Sequence, residues 1–458
     1  MDRLRRPGRF GTGGSNTTSY EIRLHWLIKI LPAVATFVSM KTLFTQAQVI
    51  DSQSTWSGQC VDILVEDGKI AAIGSDLPKQ AQQIACEGLY LSPGFFDSNS
   101  TLQDPGFEYK NTFQQLVQSA MRGGYTTLSC ISGTAPPLQD RAALQHVTTR
   151  SHGSLIQVYP IAVLTKEQGG EEMVDYLDLT QAGASAFFDG FKSMPDIGLL
   201  KRILEYLRPY KGLVMLSPIS TTLGHKGQMH EGLTSTLLGT PGFPAISEWT
   251  VVRQVLDLLE YTGGRVHFTG VSTGRSVQEI ARAKQAGLQV TCDVAWYSLY
   301  FQDTDLATYD THLKAYPPVR SLGDQEALIQ GLQDGTVEAI TSCHIPQDIE
   351  SKDLEFELAE FGMLGLETAF AASFTALKDK VELTRLIDLF TSGPRSIFNR
   401  ELSITQGQPA EFTLFDTTAW KVTEQEIAAG SKNTPMLGRE LQGRIHSLYT
   451  KQQHHVIR

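Results

Sequence analysis

The sequence predicts an α/β protein: a (β/α)8 barrel of the TIM type with a small β-domain built from both chain ends. Three observations predict it. Across residues 91–395, short apolar runs alternate with segments of helical periodicity, the pattern of parallel strands joined by crossover helices. β-Prone runs flank that region, at 42–50 and 60–70 on one side and at 411–416 and 420–422 on the other. The 458 residues also exceed the ~250 that a barrel occupies alone, which leaves room for one smaller unit.

Taken in order, residues 1–39 stand apart as a leader or upstream extension ahead of Met40. Arg3, Arg5, Arg6 and Arg9 precede an apolar run at 28–38 that Lys29 and Pro32 interrupt. That run falls short of the ~20 residues of a membrane span, and an export signal or interfacial anchor is the alternative reading. Residues 40–90 form the first part of the β-domain, 91–395 the barrel, and 396–458 the second part with a tail. Eight barrel strands are expected at 91–97, 126–131, 156–164, 184–189, 213–217, 265–271, 289–295 and 337–343. Between them, Phe113, Leu116, Val117, Ala120 and Met121 follow helical spacing until Gly123-Gly124, and Val252, Val255, Leu256 and Leu259 repeat the pattern.

Composition narrows the function. With 39 Lys+Arg against 49 Asp+Glu, the net charge is -10, and no basic footprint for nucleic acid appears in the body. Cys60, Cys86, Cys130, Cys292 and Cys343 are scattered singly, without zinc or redox spacing, so a reduced cytoplasmic protein without a membrane span is expected. In such a barrel, chemistry sits where the strands end at their C-terminal side.

The first strand end reads SPGFFDSNSTLQDPG over 92–106. It resembles the opening of dihydroorotases of the amidohydrolase superfamily, Pro-Gly-Phe-Ile-Asp, His-x-His, Leu-Arg, Asp-Pro-Gly. The resemblance runs on through KGQMHEG (226–232), KAYPPVR (314–320), GLET (365–368) and NTP (433–435) in the family's order. It implies a metal-dependent cyclic-amide hydrolase fold, in which one or two divalent ions activate water. The ligand positions have changed, however. Asn99 and Thr101 stand for the two histidines, Ser217 and Gly270 for the histidines of strands five and six, and Cys343 for the aspartate that is both base and ligand. Asp97 and Asp189 are the residual family-type ligands, the latter matching an aspartate variant of the strand-four lysine. Gln103 replaces the arginine that pairs with the substrate carboxylate, and Gly133 replaces an asparagine of the binding loop.

Residue by residue, the plain readings weigh against rebuilt chemistry. Cys343 and His344 are neighbours on a strand and point to opposite faces. His267 on an apolar strand reads as a hydrogen-bonded core histidine. Ser217 has no Gly-x-Ser-x-Gly elbow around it. The resemblance therefore implies a non-catalytic homologue without cofactor, a scaffold or regulator in pyrimidine biosynthesis whose partner is aspartate transcarbamoylase or an active dihydroorotase, with homo-oligomerisation expected. One alternative is a working dihydroorotase, allantoinase or hydantoinase with a rearranged zinc site. Another is a sensor that binds a ligand through Asn99, Gln103, Gly133 and Tyr297 without turnover. Restoring Asn99→His, Thr101→His, Ser217→His, Gly270→His and Cys343→Asp together is expected to restore metal binding before turnover.

Overall fold

The structure, a computed structural model, describes residues 41–192 and 196–457; the leader reading of 1–39 lies outside them. The small domain is an eight-stranded sheet. Its strands run in the order Gln453–Val456, Glu440–Thr450, Phe412–Lys421, Tyr90–Pro93, Lys41–Val49, Cys60–Glu66 and Lys69–Gly74, and Gln82–Ala85 adds to Lys41–Val49. Aromatic residues seal its core, with Phe44 edge-on to both Phe412 and Tyr449 at 5.2 Å.

The expected strand at 91–97 is in fact two strands. Tyr90–Pro93 belongs to the small sheet, and the first barrel strand is Phe95–Leu102, so the boundary drawn at 91 falls at Gly94. The run 91–97 (LSPGFFD) mixes apolar and polar residues around Pro93-Gly94, and a pattern of this length does not by itself say whether one strand or two pass through it. What divides it is pairing: Leu91 lies opposite Val49 and Leu414, whereas Phe95 lies opposite Tyr125.

The barrel is parallel throughout. Strands one to three are Phe95–Leu102, Tyr125–Ser132 and Gln157–Pro160; strands five to eight are Leu213–Leu216, Arg265–Phe268, Val290–Ala295 and Ala339–Thr341. The fourth position, expected over 184–189, is narrowed to pairing about Phe187, which bridges Ala162 on one side and Val214 on the other. Ser100 pairs with His344, and Thr101 N donates to His344 O at 3.0 Å, which brings strand eight back to strand one. Helix Phe113–Arg122 starts at a capping box in which Thr112 and Gln115 satisfy each other's backbone N–H, and it buries the predicted Phe113, Leu116, Val117, Ala120 and Met121. The other predicted stripe, Val252, Val255, Leu256 and Leu259, lies buried on helix Ile246–Thr262.

Candidate functional site

Two fully buried carboxylates stand at the strand ends, and each is saturated by the protein's own donors. Asp97 Oδ1 accepts from Ser342 N at 2.7 Å and Thr341 Oγ1 at 3.0 Å, and its Oδ2 accepts from Ser342 Oγ at 2.6 Å and from Ser100 Oγ. Burial raises the Asp97 pKa while these hydrogen bonds pull it back down. Asp293, on strand seven, accepts from Gly270 N at 2.7 Å, Ser98 Oγ at 2.7 Å and Thr269 Oγ1 at 3.0 Å, and pairs with His267 Nε2 at 3.0 Å. Pairing of strand one with strand two is irregular between Asp97 and Ser100, and the hydroxyls of both Ser98 and Ser100 reach these carboxylates.

Asp293 is the residue that sequence reasoning missed. Its signal was a lone acid inside the apolar run of strand seven. It anchors His267, whose Nδ1 meets Thr291 Oγ1 at 2.9 Å, so both ring nitrogens are engaged and the histidine is a hydrogen-bonded core residue.

The other predicted residues are placed as follows. Asn99 donates from Nδ2 to Thr269 Oγ1 at 2.9 Å. Thr101 is buried beside Gly133, where a Cβ would lie 2.5 Å from Thr101 Cγ2 and 2.9 Å from Leu102 O. Gln103 turns toward the strand-eight loop and donates to Pro346 O at 2.9 Å. Tyr297 donates to Pro317 O at 3.2 Å and lies beside the Cys343 thiol. Burial pushes that thiol well above its ordinary pKa, so it stays protonated. Asp189 does not join Asp97: its carboxylate accepts from Leu164 N at 2.8 Å, Thr165 N at 2.9 Å and Thr165 Oγ1 at 2.5 Å. Asn99 Oδ1, Gln103 Oε1 and Ser217 Oγ are buried without a hydrogen-bond partner.

Pro317 packs against Gly270 at the end of strand six. Gly270 has φ +69°, and a Cβ there would lie 3.1 Å from Pro317 Cδ, so a histidine at this position meets both backbone strain and a packed ring. In the expected five-residue repair, Gly270→His is thus the strained member, needing a left-handed backbone and a small shift of Pro317. Next to Pro317, Tyr316 packs edge-on against Phe191, Phe243 and Phe361 at 5.7–5.9 Å, a ring cluster drawn from separate loops.

The motifs that persist hold loops. Asp104 takes a bidentate pair from Arg150 at 2.6 and 2.9 Å and the N–H of Phe113 at 2.9 Å, tying two helices to the first strand end. The guanidinium holds the Asp104 carboxyl below its usual range. Arg320, fully buried, donates to Phe243 O at 2.8 Å and Ser272 Oγ at 3.0 Å. Glu367 accepts from Ala428 N and Ala429 N, and Asn433 accepts from Gln347 N at 3.1 Å and donates to Ile345 O at 3.0 Å.

Fold and strand-end placement define an amidohydrolase-type barrel. The chain matches the solved L-hydantoinase (dihydropyrimidinase) from Arthrobacter aurescens with TM-score 0.80 at 21% identity, covering 90% of this chain and 95% of that one. It matches the dihydropyrimidinase from Brevibacillus agri NCHU1002 with TM-score 0.76 at 19% identity, covering 91% and 95%. These likenesses concern the fold. Residues 88–200 match the family profile described as Dihydro-orotase-like. The dihydroorotase of Syntrophus aciditrophicus (strain SB) is 33% identical over 413 residues, 89% of this chain and 97% of that protein. The dihydroorotase of Pelotomaculum thermopropionicum is 36% identical over 388 residues, 83% and 91% of the two chains. The chain belongs to the dihydroorotase family of cyclic-amide hydrolases.

A divalent metal is the cofactor that this family implies, and the donor set here does not fit one. Among the described residues no group of three or more His, Cys, Asp or Glu side chains converges on a common point. The positions expected to match the family's ligands carry an amide, two hydroxyls, a glycine and a protonated thiol, and Asp97 already accepts four hydrogen bonds. Among the described residues no helix is long and apolar enough to cross a membrane.

Proposed function

We propose that this dihydroorotase-family chain does not hydrolyse dihydroorotate and serves as a scaffold or regulatory homologue in pyrimidine biosynthesis. The observation that carries the reading is the saturation of Asp97 and Asp293 by Ser98, Ser100, Thr269, Thr341 and Ser342. Water activation needs an ion held by unprotonated ligands with free lone pairs. Here hydroxyl protons occupy those lone pairs. The partner is aspartate transcarbamoylase or an active dihydroorotase, and the chain works as a cytoplasmic homo-oligomer. Exposed Ile349, Leu354 and Leu358, at 73%, 45% and 67%, support a role in contact with other proteins.

The test is metal content measured together with dihydroorotate turnover on the full chain. The expected result is far less than one equivalent of zinc and no turnover above background. Stoichiometric zinc with enzyme-like rates would replace this reading with that of an active cyclic-amide hydrolase. A second reading, ligand binding without turnover, is favoured by the unpartnered Asn99 Oδ1, Gln103 Oε1 and Ser217 Oγ. A saturable rise in Tm with dihydroorotate, absent in Asn99→Ala, would support it.

A further inference from the structure

At the end of the barrel opposite the strand-end site lies a cavity of about 600 Å³. Its wall includes Gly335 and Glu338, just ahead of strand eight, together with Arg385, Arg395 and Arg400. Three guanidiniums on one small cavity are unusual in a chain whose net charge is -10.

Carbonyl oxygens rather than carboxylates hold two of the three. Arg385 donates to Leu332 O and Val337 O, each at 2.8 Å, and Arg395 donates to Thr391 O at 3.0 Å and Gly94 O at 2.7 Å. Carbonyls fix a guanidinium in place but leave its charge uncancelled. Arg400 Cζ lies over the Tyr159 ring, 3.5 Å from its centroid, and its Nε is buried with no hydrogen-bond partner.

The nearby acids have other duties. Glu338 is bonded to Lys284 and accepts from Cys292 N at 2.9 Å, Asp388 takes the Ser52 and Ser392 hydroxyls, and Glu401 is exposed. Asp51 and Glu411 act on Arg395 from a distance. Asp388, Glu338 and Asp334 act on Arg385 through space without a direct ion pair. The lining thus carries three arginines against Glu338 and Glu401, and the guanidiniums are planar, fixed donors, the geometry that matches phosphate oxygens. A volume of about 600 Å³ sits in the range of small-molecule sites and accommodates a mononucleotide.

We propose that this cavity binds a phosphate-bearing small molecule of nucleotide size, at a site separate from the strand ends. The inference is independent of whether the strand-end site turns over substrate. Such a ligand would bridge strand eight, through the Glu338 loop, to the 392–403 segment that leads into the small domain.

The experiment is calorimetric titration of the full chain at fixed ionic strength with pyrophosphate and with ATP. Saturable binding of both with one site per chain is expected. Arg400→Gln should raise Kd by about tenfold or more, with Arg400→Lys in between, because the point charge of lysine keeps attraction and loses the fork. Arg400 suits the test because its side chain holds no backbone carbonyl, unlike Arg385 and Arg395. Ser403→Glu, which puts a carboxylate in the same wall, should abolish binding without touching an arginine. Absence of saturable binding to the unmodified chain, or equal Kd in Arg400→Gln and Ser403→Glu, overturns the proposal. Binding of pyrophosphate without ATP overturns the nucleotide size.

Discussion

The barrel axis and the loop frame around it have been treated differently. In the frame, Asp104, Arg320, Glu367 and Asn433 stand in the family's motifs, and each holds two or more chain segments together. On the axis, Asn99, Thr101, Ser217, Gly270 and Cys343 stand at the positions expected to match the family's ligands, and hydroxyls close the network over Asp97 and Asp293. The difference separates what the fold needs from what the chemistry needs. The persisting motifs are the ones whose side chains act as struts.

The largest effect that tests this contrast comes from the frame. Arg320→Met should cost about 3–5 kcal/mol, because Glu248, buried 3.8 Å away, loses its nearest cation. Chemical denaturation reads that loss, and a change below about 1 kcal/mol would show that Arg320 is no strut.

Next comes acid. Burial holds the His344 imidazole down at about 4 against an ordinary value of 6.5. Between those values the unfolded chain binds a proton that the folded protein refuses. Stability is then complete above pH 6.5 and falls by up to about 3 kcal/mol as pH drops to about 4. Urea midpoints measured at pH 7, 5.5 and 4.5 should show the slope, and His344→Gln should remove most of it. Parallel slopes in both chains would reject this assignment.

On the axis, Asp97→Asn should cost about 1–2 kcal/mol, since the serine hydroxyls can turn to accept from the new amide while Ser342 N keeps an oxygen. The cost should be the same with and without added zinc. A loss that appears only when zinc is present would make Asp97 a ligand and erase the contrast.

The smallest effect is at Cys343, where serine should change stability by about 1 kcal/mol or less. In the folded chain a thiol reagent should modify exposed Cys60 promptly and reach buried Cys343 only on unfolding. Fast labelling of Cys343 would mean that the site is open.

Much of the architecture could be read from the chain because apolar period and motif order report local structure directly. Seven of the eight barrel strand positions overlap observed strands, and the fourth survives as pairing around Phe187. The division at Gly94 was not drawn, because a short segment looks the same whether its partner is Val49 or Tyr125, and Pro93-Gly94 was the only local mark of a break. The residue types at the expected ligand positions were legible in the sequence. The hydroxyl network around Asp97 and Asp293 was not, since serines and threonines carry no mark of which carboxylate they serve. Gly270 shows the same limit: its role depends on Pro317, 47 positions away in the chain, pressing on the space a side chain would need.

The small sheet has a consequence for biosynthesis. Tyr90–Pro93 is hydrogen-bonded between Lys41–Val49 and Phe412–Lys421, so the outer side of this strand has no partner until the barrel has been made. About 300 residues separate the two, which at about 5–20 residues per second leaves an open strand edge on the ribosome for roughly 15–60 s. Open edges recruit other strands. A chain that stalls or is cut before residue 412 would carry that edge permanently, and truncated products of this protein should collect in inclusion bodies while the full chain stays in solution.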